Sequence, residues 1–478
     1  MKLLVSFLAN VGAAINFSAV EVAVLLMDRG STLEESAWAM SVLDSLVFVG
    51  CIVGMLAFGF VGDLFGRLRS LRATMGLAIM GVCLSFAPFD APARLEITLC
   101  CSRFLVGVGT GGIYPLSAAI AYERGSSSAE ESIGPELSVA LSNFGQPIGC
   151  CLLFVVALAF VLSDSFTSQA KWRFVLFLGA LPFIAASLLT LRLDDDHDHR
   201  DENKKKPLFK GGEKVQQDIE EPSLAELIIT RRDVRRAVVG AGGTWFVYNV
   251  YSYGVVTYYP QLASSIVGHD NVAVLAANVT ASAAAVAAAG LSLILIDRYG
   301  ARQSILLGCA SGAAYCAALL VVHRVAGVGP VHKSFALWLF IILRGFIQLP
   351  GIGVFTLPNT IFATRVRSRA QGLSAAIGKV GAIVGSALFP AIFRRGGLSL
   401  ILAVTATLFV VDGIVCASSF RKTKGQRRDA SCFTLYGGLK KHKTTVLVPG
   451  VTILRRDSTD DDKFDEVDPL LAVDSSLR

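Results

Sequence analysis

Charge is what this chain of 478 residues has little of. Asp, Glu, Lys and Arg make up 17%, against about 25% in a soluble domain. Apolar residues make up 53%, with 45 glycines besides, and mean hydropathy is +0.58. So few charges cannot solvate the roughly three water-soluble domains that such a length suggests. Disorder, collagen and a disulfide scaffold are excluded on the same ground. Most cysteines lie inside apolar runs. Cys100–Cys101 and Cys150–Cys151 are sequence neighbours, which on a helix face different ways and do not bridge, and there is no C-x-x-C or zinc spacing. No nucleophile–base set or nucleotide loop appears, so neither catalysis nor a cofactor is implied. A net charge of +7 would raise nucleic acid as a partner in a soluble protein, so where those charges sit decides its meaning.

What is present is a series of long apolar runs. Twelve are long enough to cross a bilayer core, which takes about 20 residues per helix: 3–27, 41–61, 73–89, 98–122, 137–161, 173–192, 236–262, 272–296, 303–323, 334–357, 370–391 and 399–419. Lipid offers the backbone no hydrogen-bond partner, so these are expected to be helices. The first is apolar for too long, and lacks a small-x-small cleavage site, to read as a signal peptide. Cationic residues concentrate in even-numbered connections and the tail: Arg67, Arg69 and Arg72; Arg298 and Arg302; Arg365, Arg367 and Arg369; Lys204 to Lys206; Arg421, Lys422 and Lys424. The positive-inside rule then places both termini in the cytoplasm.

Four segments are expected: an N-terminal six-helix half (1–192), a polar cytoplasmic linker (193–235), a C-terminal six-helix half (236–420) and a disordered cytoplasmic tail (421–478). Asp194, Asp196, His197 and His199 in the linker could in principle hold a metal, but a solvated, disordered charge run is the plainer reading. Asn278-Val279-Thr280 matches a glycosylation sequon at membrane depth, where it would not be used.

The halves repeat at an offset of roughly 235 residues. Gly62-Asp63-Leu64-Phe65-Gly66-Arg67 corresponds to Ile296-Asp297-Arg298-Tyr299-Gly300, Ser142-Asn143-Phe144-Gly145 to Gly378-Lys379-Val380-Gly381, Asn16 to Asn249 and, more loosely, Arg103 to Arg344. The recurring Asp suits a latch. Asp63, with Arg67, can pair with a neighbouring segment in one arrangement and release it in another, and Asp297 would do the same in the second half. The plain alternative is a basic loop that only obeys the positive-inside rule.

Ionisable groups at membrane depth are costly and point to function. Lys379 lies well inside its run among Gly378, Gly381, Ala375, Ala376 and Ala382, and a lone ammonium there calls for an anion or a dense set of acceptors. Trp245, Asn249 and Tyr253 fall at i, i+4 and i+8, on one helix face. Their N–H and O–H groups suit an oxyanion. Asn16 is a candidate lining residue. Glu21 is either a proton carrier or a residue near its helix end. Arg103 precedes a glycine-rich stretch with Pro115, a composition common where a helix lines a cavity. Together these groups suggest a midplane site for a small anion.

The segments Gly111-Gly112-Ile113-Tyr114-Pro115-Leu116-Ser117 and Gly372-Leu373-Ser374-Ala375-Ala376-Ile377-Gly378-Lys379-Val380-Gly381-Ala382-Ile383-Val384-Gly385 resemble helix 4 and helix 11 motifs of the plant and fungal inorganic phosphate:proton symporters. Trp172-Arg173 with Gly179-Ala180-Leu181-Pro182, and Thr244-Trp245 through Tyr253, resemble two further motifs of that family. The loop at Gly62–Arg67 resembles the signature loop of the major facilitator superfamily. The resemblance covers most of residues 10–420. It implies an all-α membrane protein with the major facilitator fold, twelve transmembrane helices in two pseudo-symmetric six-helix halves. The family's phosphate-site Tyr, Trp, Tyr and Lys fall on Tyr114, Trp245, Tyr253 and Lys379. Its helix 5 Gln falls near Asn143, behind a short insertion. Its membrane aspartates, implicated in proton coupling, fall on Asn16, Ala19, Asn249 and Ile113, and its helix 10 Asn on Gly351.

The resemblance therefore implies a multi-pass transporter of inorganic phosphate or a similar small oxyanion, working by alternating access with altered or absent proton coupling. Tyr114, Asn143, Trp245, Asn249, Tyr253, Lys379 and Asn16 would line its site, and protons would be a possible co-substrate. Rival readings are a transporter of an organic anion or sugar, and a non-transporting anion sensor that signals through its tail. Glu466-Val467-Asp468-Pro469-Leu470-Leu471 fits an acidic dileucine signal, which keeps an endolysosomal or vacuolar membrane open beside the plasma membrane.

Overall fold

Each apolar run forms a helix, because within lipid only a helix satisfies its own backbone. A computed structural model describes residues 1–27, 37–86, 92–127, 133–163, 165–204, 224–267, 270–325, 333–362 and 366–420. In order these form α1 (Lys2–Leu26), α2 (Ala37–Phe65), α3 (Arg67–Phe86), α4 (Pro92–Ser127), α5 (Pro135–Leu162), α6 (Ser168–Leu178), α7 (Ala180–Lys204), α8 (Leu224–Thr230), α9 (Arg232–Val267), α10 (Asn271–Tyr299), α11 (Ala301–Val325), α12 (Lys333–Ile361) and α13 (Arg367–Ser419).

Ten helical stretches among the described residues are long and apolar enough to cross a membrane. α6 and α7 together make one of them. α13 holds two of the expected runs, broken at Gly397, where φ 59° and ψ −153° cannot continue a helix. The remaining run lies in α9, whose hydropathy is diluted by Thr244, Asn249, Ser252 and its tyrosines. The described helices thus hold all twelve expected runs, consistent with the two halves of six that the resemblance implied.

The repeat is written in the packing. Gly145 and Gly149 of α5 lie against the backbone of α1, where an added Cβ would strike the carbonyls of Phe7 and Val11. Gly381 and Gly385 of α13 lie in the same way against the Phe246 and Val250 carbonyls of α9. Helices without a side chain in the way can approach this closely, and the dispersion contacts so gained are what associate helices in lipid. These pairs set the depth of the residues between and beside them, Gln146 and Lys379 included.

One expectation is corrected. The mixed-charge segment after the sixth run begins as helix, since α7 continues to Lys204. Neither Gly nor Pro occurs in it before Pro207, so nothing in the backbone stops the helix sooner. The side chains of Asp194, Asp196, His197 and His199 lie outside the described residues, as do the tail and its dileucine pattern.

Gly66 (φ 89°) and Gly300 (φ 82°) turn the chain from α2 to α3 and from α10 to α11. Gly66 has nothing within 4 Å of where a Cβ would stand, and neither has Gly76, which lies within α3. Gly66→Ala therefore isolates the cost of left-handed backbone. It should lower stability by about 1–2 kcal/mol, read as a fall in the thermal midpoint in detergent. Gly76→Ala should be neutral or stabilising by up to about 1 kcal/mol.

Candidate functional site

Where the halves meet, α1, α2, α4, α5, α9, α10, α12 and α13 enclose a cavity of about 160 Å³, room for roughly ten water molecules. Lys379 reaches it from α13 and is only 2% exposed. Its Nζ donates to the Tyr253 hydroxyl at 2.6 Å. It also stands 4.1 Å from the Phe17 ring centroid, 4.5 Å from Tyr253, 5.2 Å from Phe48 and 5.4 Å from Tyr114. Among the described residues no carboxylate is ion-paired with it. Ring faces stabilise a desolvated cation by up to about 2 kcal/mol each, but they bring no negative charge. The ammonium is held in place with its charge uncompensated.

The rings form a continuous wall across both halves. Phe17 stacks on Phe48, Phe48 meets Tyr253 edge-on at 5.1 Å, and Tyr114, Trp245 and Phe355 pack mutually with centroids 5.7–6.2 Å apart. A polar chain runs behind this wall. The Tyr114 hydroxyl donates to Gln146 Oε1 (3.2 Å), Gln146 Nε2 donates to Asn10 Oδ1 (3.0 Å), and Asn10 Nδ2 reaches Ser117 and Ser142 (3.1 Å each). The phenol is thereby oriented through α1, α4 and α5. Asn143 Oδ1 is buried with no hydrogen-bond partner among the described residues.

Of the residues expected from sequence, Tyr114, Asn143, Trp245, Asn249, Tyr253 and Lys379 all line this cavity. Asn16 does not. It lies on the far side of α1 from Ala14 and Ser18, donates to the Gly12 carbonyl at 2.8 Å and packs against Gly179, which has no Cβ to exclude it. Its own carbonyl accepts from Arg103. Arg103 and Arg344 thus part company: Arg103 is spent on the backbone of α1, whereas Arg344 lines the cavity. Sequence reasoning had read Arg344 only as a repeat mate. It also overlooked Gln146, Gln348, Ser252 and Ser282. Glu21 lines the cavity too.

The latch residues likewise divide. Asp63, whose side chain is 6% exposed, takes Arg369 of α13 at 3.3 Å and Arg67 at 3.8 Å. Arg67 is also paired with Glu123 of α4. Arg369 lies over the Phe60 ring and Arg367 over Tyr122, so two arginines of the second half clasp the first. Asp297 is exposed and joins no ion pair among the described residues. In the second half the corresponding contact is made by Glu136 of α5, which accepts the Ala301 N–H at 3.2 Å, an anion at a helix N-terminus. The loop repeats, but its partner does not: Arg369 reaches α2, whereas an acid faces α11. At the opposite end of the halves Asn271 Nδ2 donates to the Leu25 carbonyl at 3.2 Å.

A cavity between two six-helix halves, with contacts between the halves at either end, is the architecture of an alternating-access carrier. The model for the family described as sugar (and other) transporter matches residues 8–429. The chain belongs to this family. Inorganic phosphate transporter PT2 of Toxoplasma gondii is 29% identical over 406 residues, 83% of this chain and 68% of that one. Inorganic phosphate transporter 1-6 of Oryza sativa subsp. japonica is 27% identical over 384 residues, 72% of each. Among solved structures, the proton:xylose symporter XylE of E. coli superposes with a TM-score of 0.64 at 17% identity, over 86% of this chain and 94% of that one. The E. coli fucose:proton symporter FucP gives 0.61 at 13%, over 88% and 98%. These likenesses show the major facilitator fold, and this member of the sugar (and other) transporter family is an integral multi-pass membrane protein.

Asp63→Asn should weaken both of its ion pairs and move the closed–open equilibrium by about 1–2 kcal/mol toward opening on that side. A cysteine placed at Ser368, buried here beside α2, should then react with maleimide roughly tenfold faster. Asp297→Asn should leave that rate unchanged.

Proposed function

We propose that this chain carries inorganic phosphate, or a closely similar oxyanion, across a membrane by alternating access. The observation that carries the reading is Lys379, a buried ammonium at the meeting of the two halves with no carboxylate paired to it among the described residues. Arg344 and Glu21 also line the cavity, so with Lys379 the lining carries two cationic groups and one acid. The indole N–H of Trp245, the amides of Asn143, Asn249 and Gln146, and the Tyr253 hydroxyl supply neutral donors, and Tyr114 could join them by turning its O–H from Gln146. An oxyanion needs this combination, one compensating charge and many short-range donors. That two relatives are named as inorganic phosphate transporters supports the same substrate.

In each cycle the anion would enter beside Lys379, draw the rings and amides of both halves onto itself and leave after the opposite side opens. Asp63, Arg67 and Arg369 would hold one closure, and the Glu136 contact with α11 would add to it. The distribution of arginine and lysine supports cytoplasmic termini. Arg394 and Arg395, at the break in α13, run against it, as do Lys171, Arg324 and Lys333 in other odd-numbered connections. The dileucine pattern keeps an endolysosomal or vacuolar membrane open beside the plasma membrane. A second reading, a neutral sugar as cargo, draws on the aromatic wall. It leaves the Lys379 charge without an answer.

Uptake of radiolabelled phosphate into proteoliposomes tests this. Lys379→Gln should raise KM roughly tenfold or more, since a charge-assisted contact is worth about 1.5–3 kcal/mol. Tyr253→Phe should cost less than that, because the charge remains. Unlabelled phosphate and arsenate should compete, and xylose should not. Lys379→Gln transporting like the unmodified protein would refute the reading.

A further inference from the structure

Away from the cavity, the second half buries a carboxyl group that the transport site does not use. Asp412 of α13 is 0% exposed, although Val410, Val411 and Ile414 beside it face outward at 51%, 38% and 61%. It points inward between three helices. The Tyr251 hydroxyl of α9 donates to its Oδ2 at 3.1 Å, and the Cys309 thiol of α11 donates to the same oxygen at 3.6 Å. Its Oδ1 is buried with no partner among the described residues. The titratable groups nearby are Tyr251 and Tyr248 on α9, Cys309 on α11 and Cys416 one turn further along α13. Arg302 sits two turns away at the start of α11, where it donates to the Ala417 carbonyl. No cation is ion-paired with Asp412 among the described residues.

An ionised carboxylate in this setting would be a charge out of water with two donors on one oxygen and nothing on the other. A hydroxyl at Oδ1 leaves a far smaller debt, one unpaired neutral group. The cluster is also tied to the cavity. Tyr251 stacks edge-on with Tyr248 at 5.4 Å; Tyr248 lines the cavity, as do Asn249, Ser252 and Tyr253 on the same helix. Any movement of α9 that opens the cavity pulls Tyr251 with it and changes what surrounds Asp412.

We propose that Asp412 is a proton-binding site of the second half. Its proton sits on Oδ1 in the arrangement seen here and leaves to water when α9 moves, so that proton binding and the position of α9 are linked. By reciprocity, whatever moves α9 changes proton affinity, and protonation changes the ease of that movement. The consequence for coupling rests on the phosphate reading; proton binding itself does not.

Two measurements on the full chain separate the two. The first is infrared difference spectroscopy of the purified protein between acid and alkaline pH. It should show the C=O stretch of a protonated carboxyl that titrates, is missing in Asp412→Asn, and shifts in frequency in Tyr251→Phe, which keeps the acid but loses one donor. Tyr251→Phe also serves should the Asn variant not fold. Spectra of Asp412→Asn, or of Tyr251→Phe alone, matching the unmodified protein at every pH would overturn the proposal. The second is steady-state phosphate accumulation in proteoliposomes with an imposed pH difference and no membrane potential. With one proton per anion, a difference of one unit supports up to about tenfold accumulation, which Asp412→Asn should reduce to equal concentrations inside and out. Equal accumulation by both proteins would overturn the coupling. Absence of phosphate uptake by either would overturn the phosphate reading alone, with the infrared result still deciding proton binding.

Discussion

An ammonium group taken out of water must be stabilised by something, and here that something is not an acid. Lys379 is surrounded by the faces of four rings and one phenol oxygen. The rest of the carrier follows from that choice. The rings come from α1, α2, α4 and α9, so both halves must meet at the lysine. The glycines of α5 and α13 let helices approach closely enough to bring them there. A carboxylate in the rings' place would compensate the charge permanently and compete with any anion. Aromatic faces hold the cation and leave its charge available.

The closure around this site is asymmetric in chemistry although symmetric in position. On one side, Asp63 and Glu123 face arginines of the loop and of α13. On the pseudo-equivalent side, Glu136 meets the N-terminus of α11. A pair of side chains is sensitive to the exact approach of two helices. A carboxylate on a backbone amide depends on the approach of the one helix end it caps. Both contacts join the two halves, so opening on this side would have to part both.

Much of this was legible in the residues alone. The spans follow from what lipid demands of a backbone. The repeat shows because the same glycine is needed wherever α2 turns into α3 or α10 into α11. The stripe Trp245, Asn249, Tyr253 is visible because helical periodicity puts those three on one face. What escaped has physical reasons. α1 is apolar nearly all round, so nothing in its pattern says that Asn16 turns toward Gly179 while Ser18 turns to the cavity. Asp297 repeats Asp63, but a latch also needs a partner, and among the described residues Arg369 has no ion-paired counterpart on Asp297. Arg344 resembles Arg103 in placement, yet only the fold shows that α1 offers a carbonyl to Arg103 alone. Asp412 is one acid diluted among apolar neighbours, although an ionisable residue inside a span was a sufficient signal.

Trp245 stands where Gly378 leaves room for its indole, next to Lys379 and against Tyr114 and Phe355. An indole's emission responds to charge and water close to its ring. The chain has four tryptophans, and this one stands beside the proposed cargo. If the cargo binds there, Trp245 would serve as an optical gauge of occupancy, readable without a label and separate from passage through the site.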